Sequence, residues 1–189
     1  MRNSKMKGFT LIELIVVIAI IGILAAILVP SMLGYVRNAR ISQANANAKQ
    51  VHTAVSSALT QLGISNVSLT TGNSTLYYVE FGAPANGAIS CTWSGPATNP
   101  PASNDKMDLI SYLGENFTGF GRAYFLPATY SVSYALYGAD SHVVSTAAAG
   151  ITRNAQSGAY SCNLGETKQK ADAKAGTLYG VYPQGTDAA

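Results

Sequence analysis

One stretch of this chain cannot lie exposed to water. From Leu14 to Val29 no side chain is polar, and with Phe9 to Ile12 ahead of it the run reaches the roughly twenty residues that a membrane-spanning helix requires. Arg2, Lys5 and Lys7 precede it. Basic residues on a short flank hold that end on the cytoplasmic side, so everything after Val29 is expected outside. A secretory signal also opens with basic residues and an apolar run, but its run is shorter and closes on a small-residue cleavage site. Here the run gives way to Pro-Ser-Met-Leu-Gly-Tyr instead. One acid, Glu13, lies inside the apolar segment. A carboxylate at membrane depth costs about 3 kcal/mol on insertion scales, so it calls for a partner.

Behind the basic leader, Gly8-Phe9-Thr10-Leu11-Ile12-Glu13 resembles the processing motif of type IV prepilins and their pseudopilin relatives, and the resemblance runs to about residue 60. It implies cleavage between Gly8 and Phe9 by a membrane aspartyl prepilin peptidase, then N-methylation of the new Phe9 amine. It also implies that Glu13 pairs with the terminal amine of a neighbouring subunit during assembly. In the processed chain no basic residue lies within a turn or two of Glu13. Its partner is therefore expected outside its own sequence. Opposite charges about 4 Å apart attract by about 4 kcal/mol at an effective dielectric of about 20, which offsets the insertion cost. Gly22 and Pro30 match the family's helix-disrupting positions. Pro30 removes a backbone donor and crowds the carbonyl of Ala26, and Gly22 weakens the helix one to two turns earlier.

The organisation expected is a leader over 1–8, a hydrophobic membrane and filament-core helix over 9–30, an amphipathic helix over 31–63 and a β-rich head over 64–189. Ile41, Ala44, Ala48, Val51, Val55, Ala58 or Leu59, and Leu62 recur at steps of three and four, one face of a helix with Gly63 as its C-cap. In the head, 76–81, 88–93, 123–126 and 177–182 read as strands. So does 129–137, whose alternation puts Tyr130, Val132, Tyr134 and Leu136 on one face, with 142–145 as its return strand. Ser94 to Asp105 reads as a proline-rich surface loop. Strands gathered after one long helix predict an α+β fold, a long N-terminal helix packed on an antiparallel sheet. The resemblance implies the same fold.

The formal charge of +3 is a property of the leader. Three of the twelve basic residues precede Phe9, and the remaining nine face nine acids. A balanced chain carries no electrostatic footprint for nucleic acid. The two cysteines, Cys91 and Cys162, form an even pair in a segment placed outside the cell, which suggests a disulfide; the alternative is two buried thiols. His52 and His142 are too few and too far apart for a metal site, and no nucleophile elbow, phosphate loop or dinucleotide fingerprint occurs. No enzyme activity, metal or cofactor is expected. The resemblance implies a homopolymeric surface filament serving adhesion or twitching motility, built by pilus assembly machinery from a subunit first held in the membrane. The alternative is a pseudopilin of a secretion or DNA-uptake system.

Overall fold

The computed structural model describes residues 9–64, 77–82, 90–94, 112–113, 117–127, 129–154 and 159–186. The leader, and the expected loop beyond Ser94, lie outside them. The chain forms two compact units, 1–38 and 39–189, and helix α1 (Leu11–Ile64) begins in the first and ends in the second. Helix in the first unit follows from its composition. In an apolar medium every backbone polar group must be satisfied internally, and a helix does this within one segment.

The second unit is α+β. Its main sheet contains β1 (Tyr78–Gly82), β2 (Ser90–Ser94), β3 (Phe120–Leu126), β4 (Ser131–Gly138) and a last strand, β7 (Tyr179–Tyr182), in the order β2-β1-β3-β4-β7. All its pairings are antiparallel. Helix α2 (Ser141–Ala148), the hairpin of β5 (Ile151–Arg153) and β6 (Tyr160–Cys162), and helix α3 (Glu166–Lys174) complete the unit.

The predicted helical stripe is the buried one. Ile41, Ala44, Ala48, Val51, Val55, Ala58 and Leu59 are each at most 5% exposed, and Ala54 joins them. Val51, Val55 and Leu59 pack with Val79, Phe81, Ala123, Phe125 and Ala135 on one face of the sheet. Tyr124 and Leu136 point the other way and pack with Val144 and Ala147 of α2, Ile151 and Leu164. The result is three layers, with the sheet between α1 and the α2–hairpin layer.

Several expectations need correction. The segment 142–145 belongs to helix α2, because Asp140 caps it: the Asp140 Oδ1 accepts from the Val143 backbone N–H at 2.8 Å. The alternation along β4 also breaks. Tyr124 pairs with Tyr134 and Phe125 with Val132, which leaves Ser133 as the extra residue of a β-bulge. Tyr130 and Val132 consequently pack on the α1 side, and Tyr134 on the opposite side with Leu136. Helix α1 runs one residue beyond Gly63. Helix α3 and the three-residue strands β5 and β6 carried too short a pattern to be read.

The disulfide is the largest correction. Cys162 is a buried free thiol, so the expected Cys91–Cys162 bridge is not formed. Cys91 belongs to β2, one edge of the main sheet, whereas Cys162 belongs to β6, which contacts β4, and shares a core cluster with Leu136 of β4 and Val181 of β7. Three strand spacings of about 4.8 Å separate β2 from β4, roughly 14 Å in all. A disulfide needs Cα atoms within about 7 Å. Burial also pushes the Cys162 thiol above its ordinary range, which keeps it protonated and unreactive. The Cys162 peptide should therefore take up a thiol-alkylating reagent only after denaturation, and without any reductant. Peptide mapping reads this directly, and a Cys162 that labels only after reduction would restore the bridge.

The open edge of β7 is closed by side chains. The Asn45 Oδ1 accepts from the Val181 N–H at 3.0 Å and from the Gln169 Nε2 at 2.7 Å. Gln169 Nε2 also donates to the Tyr179 carbonyl at 3.3 Å, while Gln169 Oε1 accepts from Gln184 at 3.2 Å. Gln169 is 1% exposed, and burial without these partners would cost roughly 1–3 kcal/mol. One asparagine of α1 and one glutamine of α3 thus satisfy backbone groups that an edge strand would otherwise present to another chain.

Candidate functional site

The apolar segment of α1 has no cover of its own. Every described residue from Phe9 to Val36 is exposed, with Phe9 at 86% and Ile27 at 69%. By length and composition this helix can cross a membrane. A surface so apolar and continuous is far larger than soluble monomers leave open, and it marks a membrane or protein contact.

Glu13 stands in the first turn of this helix. Its Oε2 accepts from the Thr10 N–H at 2.8 Å and from the Thr10 hydroxyl at 2.7 Å, and its own N–H donates to the Thr10 Oγ1 at 3.4 Å. This is a reciprocal capping box, with Thr10 at the N-cap and Glu13 three residues on. Both side chains satisfy backbone donors that the start of a helix leaves without partners. Thr10 thus gives Glu13 neutral hydrogen-bond partners within its own sequence, beside the charged partner expected outside it. The Thr-x-x-Glu spacing was the available signal. The negative charge is a separate matter, since none of the ion pairs among the described residues includes Glu13.

The structure brings Phe9, Thr10 and Glu13 into one helical start, while Gly8 lies outside the described residues. Gly22 and Pro30 lie further along the same helix, which is continuous through both. No atom comes within 4 Å of where a Gly22 Cβ would sit. Pro30 lacks the N–H that would bond to Ala26, and next to it the Ser31 hydroxyl donates to the Leu28 carbonyl at 2.9 Å.

His52 is held as a structural residue of the second unit. Its ring meets Tyr182 edge-on at 5.1 Å between centroids and is hydrogen-bonded to the Val132 backbone.

Comparison with known proteins supplies the context for this helical start. The family described as the prokaryotic N-terminal methylation motif matches residues 3–29. The type IV major fimbrial protein FimA of Dichelobacter nodosus is 32% identical over 119 residues, covering 60% of this chain and 75% of FimA. The type IV major pilin PilE of Neisseria gonorrhoeae is 34% identical over 113 residues, 57% of this chain and 68% of PilE. PilE1 of the same organism gives the same identity, but the match spans only about half, 53%, of its length. No solved structure matches. Because the likeness extends far beyond the N-terminal motif and through three quarters of a pilin's own length, the chain belongs to the type IV pilin family.

Proposed function

We propose that this chain is the structural subunit of an extracellular type IV pilus. It is made as a precursor, cut between Gly8 and Phe9 by a prepilin peptidase, methylated on the Phe9 amine and held in the membrane by the helix over 9–30. Pilus assembly machinery then moves it into a filament of identical copies. The observation that carries this reading is the uninterrupted exposed apolar surface from Phe9 to Val36, with a single carboxylate near its start. Such a surface needs lipid before assembly and other copies of itself afterwards. A stick packed among its own copies makes a head-to-tail contact that need not close, so it propagates as a filament.

Glu13 drives the transfer between these two environments. The capping box satisfies its hydrogen bonds locally, and among the described residues no ion pair includes its charge. In the filament, the Phe9 amine of a neighbour supplies one, worth about 4 kcal/mol at about 4 Å and an effective dielectric of about 20. Gly22 and Pro30 mark where the helix loosens on packing, since each lowers the cost of opening it.

Intact mass and N-terminal sequencing of filaments sheared from the cell surface test the proposal. The subunit is expected to begin at N-methylated Phe9. Filaments whose subunits retain residues 1–8, or a surface without filaments of this chain, would overturn it.

A further inference from the structure

The exposed apolar face of α1 is longer than the hydrocarbon core of a bilayer. From Leu11 to Val36 the helix runs about 39 Å at about 1.5 Å per residue. The core measures about 30 Å, and about 40–45 Å with both headgroup layers. The face also continues unbroken past Pro30. Ser31, the one polar side chain between Leu14 and Gly34, donates its hydroxyl to the Leu28 carbonyl and needs no polar partner outside the helix. Met32 and Leu33 stay exposed beyond it. A helix seated with Leu11 at the inner surface therefore carries this face into the outer headgroup layer, where residues 35–40 lie.

One aromatic and two basic side chains stand at that level. Tyr35 is 76% exposed, at the depth where amphipathic rings collect in membranes. Arg37 is half-buried and Arg40 exposed, about one turn apart on α1. Neither belongs to any ion pair among the described residues. No acid occurs between Leu14 and Val79 to offset them. Basic residues within about 15–20 positions of a span favour the cytoplasmic side, so these two oppose the orientation that the leader sets. Negative charge at the same depth compensates them, and phosphates of the outer leaflet supply it. Helical side chains lean toward the N-terminus, here back toward the bilayer, and a guanidinium holds phosphate through paired N–H donors.

We infer that Tyr35, Arg37 and Arg40 form an outer-leaflet anchor that binds the headgroups of anionic phospholipids before assembly. The inference rests on the membrane-held stage proposed above. Entry into a filament then requires these lipid contacts to break.

The test uses the full-length chain in mixed phosphatidylcholine and phosphatidylglycerol vesicles, with a trace of either lipid spin-labelled. Electron spin resonance separates lipid slowed by the helix from free lipid, so it reads both insertion and headgroup preference. Arg37→Gln combined with Arg40→Gln should lower the preference for phosphatidylglycerol at least about fivefold, the factor of one basic residue at an anionic surface. Arg37→Lys combined with Arg40→Lys keeps the charge and should keep most of the preference. Lys49→Gln removes a charge about 18 Å further along α1 than Arg37, beyond the Debye length of about 10 Å at about 0.1 M salt. It should leave the preference unchanged. An unaltered preference in the double glutamine variant would overturn the inference. So would an equal loss from Lys49→Gln, which would assign the effect to net charge. Absence of any slowed lipid would overturn the membrane-held reading as well.

Discussion

Glu13→Val is expected to leave a cleaved, membrane-held subunit with a folded second unit, and to lower filament yield at least about tenfold, the factor carried by 1.4 kcal/mol. The proposed pairing with a neighbour's Phe9 amine is worth about 4 kcal/mol per contact at about 4 Å, so a tenfold loss is a lower bound. Two roles of the carboxylate have to be separated, because the structure gives it a local one as well. Its bonds to Thr10 cap α1, and losing a cap costs roughly 0.5–2 kcal/mol of helix stability. Glu13→Gln separates them. A capping box accepts Gln in place of Glu, so this variant keeps the cap and loses the charge. If charge pairing drives assembly, Glu13→Gln should assemble nearly as poorly as Glu13→Val. The measurement is sheared filament against membrane-bound subunit in the two strains. Normal yield in Glu13→Val would show that apolar packing suffices. Normal yield in Glu13→Gln alone would assign Glu13 to capping.

The features legible in the sequence were those with a long period or a sharp local rule. The stripe from Ile41 to Leu59 repeats over five turns, and its residues are the buried ones. The apolar run needed only length and a count of polar side chains. Features with neither were missed. At β4 the alternation of Tyr130, Val132, Tyr134 and Leu136 is intact in the sequence, yet Ser133 bulges and moves the first two to the other face. A bulge is decided by pairing with β3, a partner that periodicity along one strand cannot represent. Cys91 and Cys162 invited a bridge by number alone, while strand order separates them. In the N-terminal site, the motif pointed to Phe9 and Glu13 together, whereas Thr10, whose donors are neutral, carries no charge that would mark it as a partner. The Asn45–Gln169 contact joins residues 124 positions apart, beyond any local pattern.

Gly180→Ala is expected to be the most damaging single methyl in the second unit, lowering its stability by about 3–5 kcal/mol and its Tm by roughly 10 °C. Gly180 lies in β7, where the sheet edge meets α1. A Cβ there would sit 1.9 Å from the Ala44 carbonyl oxygen, 2.2 Å from its carbon and 2.7 Å from the Asn45 nitrogen. These are backbone atoms of a helix, so no side-chain rotation relieves the contact. Either β7 or α1 has to move, and both routes stretch the Asn45–Val181 hydrogen bond that closes the sheet edge. The cost therefore combines overpacking, typically about 1–3 kcal/mol, with buried polar groups left unpaired at roughly 1–3 kcal/mol. Gly121 makes a useful contrast, because a Cβ there meets Phe81 and Val51 side-chain atoms, which can shift. Gly22→Ala is the control at open helix: nothing lies within 4 Å, and Ala is the better helix former by up to about 1 kcal/mol. Thermal unfolding of the full-length chain in detergent, followed by near-ultraviolet circular dichroism, compares the variants in one experiment. Gly180→Ala should melt first by a wide margin and Gly22→Ala should match the parent. Equal melting of Gly180→Ala and the parent would mean that α1 and β7 do not approach this closely, and the edge closure by Asn45 would fall with it.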